Sequence, residues 1–301
     1  MTAPEVTSAP SPEAETWAER EPGSIRSVLH GLRRHPLGAA GGLLLLLITA
    51  FCFLGPLFHP TNQTDVDLLN AALPPGSGHP LGTDGNGFDV LGRLMSGGQV
   101  SLRIGLLAAL FATTIGTVYG AVAGLAGGVV DGFMMRLVDV MLSIPFLFFV
   151  LILSARFHAD ALSLSLVIGG FSWLVSARLV RGEVLTLRVR EFVLAAKLMG
   201  ASRRRTILTH LIPNALGVII VNITFQVADA VLVVAALGFL GFGLTYPTAD
   251  WGSQLASGVT YISADYWWLI YPVGGCIVLT VLALNLLADA LRDAVGRRAD
   301  R

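Results

Sequence analysis

Six long apolar runs, at roughly residues 37–58, 101–127, 134–155, 161–180, 214–240 and 269–290, constrain this chain more than any other feature. Each is close to the ~20 residues that an α-helix needs to cross the hydrocarbon layer of a membrane. Inside lipid a backbone must pair its own N–H and C=O groups, so runs of this length fold as helices. Composition agrees, with 54% hydrophobic and only 13% charged residues, against about 25% charged in soluble domains. The expected fold class is therefore all-α integral membrane, with about six transmembrane helices. The second and fifth runs are long and call for tilt or a kink, and Pro145 should kink the third. Gly105, Ala109, Ala112, Gly116, Gly120 and Gly124 give the second run a face of small residues, and Gly127 and Gly128 follow it. Another helix can approach such a face closely.

Orientation follows from the arginines and the single lysine. With the N-terminus inside, Arg20, Arg26, Arg33, Arg34, Arg136, the cluster from 178 to 205, Arg292, Arg297, Arg298 and Arg301 are cytosolic, and only Arg93, Arg103 and Arg156 are outside. The inverted arrangement would export almost all of the positive charge, so both termini are expected in the cytosol. Residues 1–24 are rich in Pro, Glu, Ser, Thr and Ala and read as a disordered tail. Residues 25–36 are basic, either as a helix at the membrane surface or as flanking charge for the first span. The membrane-spanning body then covers 37–296, followed by a short cytosolic tail at 297–301. Two segments on the outside are long, 59–100 and 242–268. Asp84 and Asp89 in the first lack the spacing of a calcium loop and read as turn and helix-cap residues. Trp251, Tyr261, Tyr266, Trp267 and Trp268 in the second suggest an interfacial aromatic belt with short helices.

Polar residues inside the apolar runs are candidates for function. Asn222, Gln226 and Asp229 are spaced four and three apart and share one helical face. That face either borders a pathway or forms a hydrogen-bonded seam with another helix. Asp139 lies one turn from Arg136, which suggests an internal ion pair, and Asn285, Asp289, Arg292 and Asp293 mark the end of the last span. Cys52 and Cys276 both fall in apolar runs and read as small buried hydrophobes. Several chemistries are excluded by what is absent. Lys197 is the only lysine and no phosphate loop surrounds it, so the chain has no ATPase site of its own. The six histidines form no metal-ligand motif and no nucleophile elbow occurs, so an enzyme is not expected. A net charge of zero offers nothing to nucleic acid.

The stretch from Arg190 to Asn214, REFVLAAKLMGASRRRTILTHLIPN, is a charged, helix-prone island between two apolar runs. It reads as two short helices joined at Gly200, which suits a left-handed cap, with Pro213 closing the second. The pattern Ala195, Ala196, Gly200, Ile212 and Pro213 resembles the cytoplasmic EAA loop of ABC importer permeases, with Leu194 where the family has its Glu. HPLGTDGNGFDVLGRL at 79–94 and FLGFGLTYPTADWGSQLASG at 239–258 are similar to segments of the dipeptide, oligopeptide and nickel permeases, of the second-permease type. Phe88 stands where that family has Arg. The resemblance implies a type I ABC-importer permease in the inner (plasma) membrane, forming half of a pathway for peptides. It implies a heterodimer with a second homologous permease, two cytosolic ATPase subunits carrying ATP and Mg, and an extracytoplasmic solute-binding protein. No cofactor or metal is implied for this chain itself. The coupling loop, 181–213, would meet the ATPases through Phe192, Leu198 and Met199. Ala195, Ala196 and Gly200 would permit close approach, and Glu191, Arg203, Arg204 and Arg205 would fix orientation. Nickel-chelate or haem import, or an ATP-independent transporter or channel, are the alternatives.

Overall fold

The computed structural model describes residues 36–76, 78–156 and 160–299. The expected N-terminal tail and the basic segment up to residue 35 lie outside the described residues. Among the described residues there is no β-strand, and an isolated bridge joins Thr83 to Asp89. Five helices are long and apolar enough to cross a membrane, and six spans result if one bent pair is counted as one. They are α1 (Pro36–Phe58), α2 (Val90–Ala126), the pair α3 (Gly128–Leu142) and α4 (Phe146–Arg156), α5 (Ala161–Leu187), α7 (Arg203–Phe239) and α9 (Tyr271–Ala299). Two short helices complete the set, α6 (Glu191–Leu198) and α8 (Trp251–Val259).

The small-residue face of α2 is where the bundle is tightest. A Cβ on Gly116 would lie 2.4 Å from the Ser176 Cβ, one on Gly120 would lie 2.4 Å from the Ala177 carbonyl oxygen, and one on Gly124 would lie 2.8 Å from Val184. Spaced four apart, these three glycines form a groove along α2, and α5 lies in it. Gly41 does the same for α1 against α9, where a Cβ would come within 2.8 Å of the Ala283 carbonyl. Ile104, Ala108, Ile168, Val234 and Leu237 fill the space between α2, α5 and α7.

Four boundaries differ from the sequence expectation. Pro145 does more than kink the third run: α3 and α4 are separate helices bent by 77° across the break at Ser143 to Pro145. Helix α2 begins at Val90, some ten residues before its apolar run, because Asp89 caps it by accepting from the Gly92 N–H at 2.7 Å. Pro213 does not close a helix. It sits inside α7, where a π-helical turn at Thr206–Leu211 widens the coil just ahead of it. That wide turn relieves the clash a proline ring makes with the preceding turn. The last helix likewise runs on to Ala299, so Asn285, Asp289, Arg292 and Asp293 lie within it rather than at its end.

The loops 59–89 and 240–270 pack on each other at one end of the bundle. Arg93 donates to the Pro247 carbonyl at 2.9 Å, Tyr246 to the Thr64 carbonyl at 3.3 Å, and Trp268 to the Thr83 carbonyl at 3.4 Å. Asp89 is 3% exposed and holds His79 at 2.9 Å and His59 at 3.3 Å, which ties the end of α1 and the loop to the start of α2. Trp251 corrects the aromatic-belt expectation. It is fully buried at the start of α8, and its indole N–H donates to the Leu94 carbonyl at 2.9 Å. Trp268 is also buried, stacked on Tyr266 at 4.9 Å, whereas Trp267 is about half exposed. Asp250 starts α8 with a capping box to Ser253.

A capped hairpin and an apolar cleft as the candidate functional site

Between α5 and α7 the chain leaves the bundle for only a few residues before α6 begins. Helix α6 ends in a Schellman motif: Gly200 donates to the Lys197 carbonyl and Ala201 to the Ala196 carbonyl, each at 3.0 Å. Gly200 has φ +82°, the left-handed cap expected from the sequence. Ser202 then starts α7 by accepting from the Arg205 N–H at 3.3 Å. Arg203, Arg204 and Arg205 form the exposed first turn of that helix.

Helix α6 has two faces of opposite character. Val193 and Ala196, three apart, are buried at 0% and 4% exposure. Val193 packs into the cluster of Val184, Leu211, Ala215 and Ile219. The other face is open, with Phe192 42%, Leu198 90% and Met199 82% exposed, and Ala195 exposed beside them. Ala196 therefore cannot offer its side chain to another subunit as expected; being on the inward face, it lets α6 lie close against the chain's own core. Glu191 and Lys197 are exposed as well. Large apolar groups in water cost about 1.5–3 kcal/mol each relative to burial, so this face is suited to a protein surface.

The same end of the bundle is clamped by two ion pairs that the sequence reading missed. Arg181 grips Asp131 with both arms of its guanidinium, Nε to Oδ1 at 2.5 Å and Nη2 to Oδ2 at 2.7 Å. Arg178 pairs with Asp139, which replaces the expected Arg136–Asp139 pair. Arg188 adds a hydrogen bond to the Gly124 carbonyl at 2.9 Å. These contacts fasten α3 and the end of α2 to α5. The signal was present as spacing: residues 178 and 181 share one face of α5, and residues 131 and 139, two turns apart, share one face of α3.

From this end a cleft of about 950 Å³ runs up between α5, α7 and α9. Its walls are mostly apolar, with Phe146, Phe171, Val175, Leu179, Phe225 and Leu232 among them. Its polar lining consists of Ser172, Glu183, Asn222, Gln226, Asp229 and Arg292. The three residues that share a face on α7 divide in role. The Asn222 amide donates to the Ser176 hydroxyl at 2.7 Å and to the Thr113 hydroxyl at 3.3 Å. The Gln226 amide donates to the Ser176 hydroxyl at 2.8 Å and to the Ser172 carbonyl at 3.0 Å. Both are buried, so they form the seam that joins α2, α5 and α7 while edging the cleft. Asp229 instead is exposed to the cleft and has no hydrogen bond or ion pair among the described residues. Glu183 and Arg292 were not singled out as cleft residues, since Glu183 is hidden in a basic cluster and Arg292 belongs to a distant helix.

Residues 116–301 match a protein family described as binding-protein-dependent transport system inner membrane component. Residues 24–75 match a second one, the N-terminal transmembrane domain of oligopeptide transport permease C. The chain is 40% identical over 287 residues to the oligopeptide transport system permease protein OppC of Escherichia coli K12, covering 93% of this chain and 95% of that protein. It is equally similar to OppC of Salmonella typhimurium, at 40% over 287 residues. The dipeptide transport system permease protein DppC of Bacillus subtilis is 36% identical over 270 residues, 90% of this chain and 84% of that protein.

Proposed function

The chain belongs to the family of binding-protein-dependent transport system inner membrane components, and from that premise we propose that it is one permease subunit of an ATP-driven peptide importer. It is a multi-pass inner-membrane protein. The second permease is a homologous chain, and the two together enclose the pathway of which the cleft between α5, α7 and α9 is one wall. Two ATPase subunits in the cytosol bind ATP and Mg, and an extracytoplasmic binding protein delivers the peptide. In this arrangement both termini are cytosolic, α6 faces the ATPases, and the packed loops 59–89 and 240–270 face the binding protein.

The observation that carries this reading is the open apolar face of α6. A helix of eight residues outside the spans, closed by its C-terminal cap, leaves Phe192, Leu198 and Met199 uncovered while Val193 and Ala196 anchor it. Such a face fits a groove on another protein. It also sits at the head of α7, which carries the cleft residues, so a shift of α6 reaches the pathway. Alternating access then follows from nucleotide-driven closure of the ATPases, which favours one of two arrangements of the helices. Relatives named for oligopeptides and dipeptides favour a peptide over a nickel chelate or haem. Copurification of the chain with ATPases whose hydrolysis it stimulates, and uptake of peptide by the reconstituted complex with its binding protein, test the reading. A chain that moves solute in proteoliposomes without ATPases would refute it.

A further inference from the structure

Among the described residues, Asp229 is a carboxylate without a partner in a mostly apolar cleft. Its neighbours on the same face, Asn222 and Gln226, spend their amides on Ser172, Ser176 and Thr113. The other charged groups of the cleft lie far from it. Gly217 on α7 packs against Val295 of α9, where a Cβ would be 3.0 Å away, and Arg292 is one turn from Val295. Asp229 is twelve residues further along α7, about 18 Å at 1.5 Å per residue. Glu183 is eleven residues beyond Ser172, the level at which Gln226 meets α5, or about 16 Å. Neither Arg292 nor Glu183 can reach Asp229. A carboxylate facing lipid at mid-span is costly, and Asp229 faces the cleft instead.

Building on the peptide-importer reading, we propose that Asp229 is the cation-recognising point of the pathway, receiving the protonated α-amine of the peptide as it crosses the middle of the membrane. The chemistry of the cleft suits that ligand. The lining beside it is apolar, which accepts side chains of any kind, and the charge that the described residues present to the cleft at that depth is negative. A charge-assisted hydrogen bond there is short and strong compared with a neutral one. Because the cleft is roomy, the carboxylate keeps part of its hydration and the peptide is released again. Passage would thus depend on the amine and little on the side chains.

The test uses the whole complex in proteoliposomes: this chain, the second permease, the ATPases and the binding protein. Uptake of trialanine and of N-acetyl-trialanine is measured at concentrations that saturate the binding protein with each. The ratio of the two uptakes is compared among wild type, Asp229→Asn and Asp229→Glu, so the preference of the binding protein cancels. Asp229→Asn should lower the ratio roughly fivefold, the difference between a charged and a neutral hydrogen bond, and Asp229→Glu should largely restore it. An unchanged ratio in Asp229→Asn overturns the proposal. So does failure of Asp229→Asn to assemble with the second permease while Asp229→Glu assembles, since the carboxylate is then an intersubunit contact. Absence of any peptide uptake by the wild-type complex would instead defeat the importer reading on which the proposal rests.

Discussion

Replacing Gly200 separates two reasons for a glycine at the turn of the hairpin. Its φ of +82° lies in the region that L-residues avoid, and a Cβ there would meet nothing within 4 Å of the chain itself. The penalty is therefore conformational, not steric. For a residue with a Cβ it is about 1–2 kcal/mol, and a β-branched residue sits at the upper end or beyond. At about 2 kcal/mol, Gly200→Val reduces the population of the capped hairpin roughly thirtyfold relative to its uncapped form. Uncapping frees the Lys197 and Ala196 carbonyls, which Gly200 and Ala201 now satisfy at 3.0 Å, and it releases the constraint that aims Phe192, Leu198 and Met199. In the reconstituted complex, hydrolysis stimulated by loaded binding protein should fall close to the basal rate in Gly200→Val and to an intermediate value in Gly200→Ala. Gly200→Asn should stay near wild type, because asparagine tolerates the left-handed region. Thr186, exposed on α5 ahead of the hairpin, serves as the control, and Thr186→Val should change little. Full stimulation in Gly200→Val would refute the requirement for the cap. Loss in Gly200→Asn equal to that in Gly200→Val would show that the glycine is there for close approach of another subunit instead.

Ala196→Asp puts a carboxylate at a site 4% exposed, so it should unseat α6 and abolish ATPase copurification, whereas Leu198→Asp on the open face should weaken copurification and leave the thermal stability of the purified chain unchanged. Gly120→Val should lower that stability by about 1–3 kcal/mol through overpacking, while Gly170→Val, where a Cβ meets nothing within 4 Å, should not; equal melting temperatures for the two would refute the α2–α5 groove. Arg181→Ala strands Asp131 and should destabilise the α3–α5 clamp, and the exchange Asp131→Arg with Arg181→Asp should recover part of the loss in a thermal-shift assay.

The spans were legible because apolar length is a local property, and the cap at Gly200 because its chemistry is local too. What the sequence hid depends on distant partners. The stretch from Val90 to Gln99 carries Gly92, Gly97 and Gly98 and looks like loop, yet it is helix. Those glycines serve neighbours far along the chain: Thr61 and Gln63 crowd Gly92, Gln254 crowds Gly97, and Cys52 and Trp251 crowd Gly98. Trp251 looked interfacial for the same reason, since the pocket that buries it is made by α1, α2 and α9 residues such as Ile48, Leu94 and Val273. Asn222 and Gln226 could be placed on one face, but only Ser172, Ser176 and Thr113 decide that this face is a seam. Pairing of Asp139 with Arg178 rather than with Arg136 is likewise a matter of which helix lies across.

Coupling between the hairpin and the cleft would need a stiff link, and α7 is placed to be one. The helix runs unbroken from Arg203 to Phe239. Its first turns hold Val193 of α6 through Leu211, Ala215 and Ile219, and its middle carries Asn222, Gln226 and Asp229. A displacement at α6 would therefore be delivered to the cleft as a rigid movement of α7, with one soft point, the π-helical turn at Thr206–Leu211. The Asn222 and Gln226 amides would pass that movement on to α5 through Ser176, which accepts from both. Helix α5 in turn is fixed to α3 by the forked Arg181–Asp131 pair and to α2 by the glycine groove. Helices α2, α3, α5 and α7 are thus tied to one another and would move together. Across the cleft, α9 meets α7 where Gly217 lies against Val295. That packing ties α9 to α7 at the end of the cleft nearer α6, so a movement of α7 would reach α9 there too, with Asp229 twelve residues further along α7.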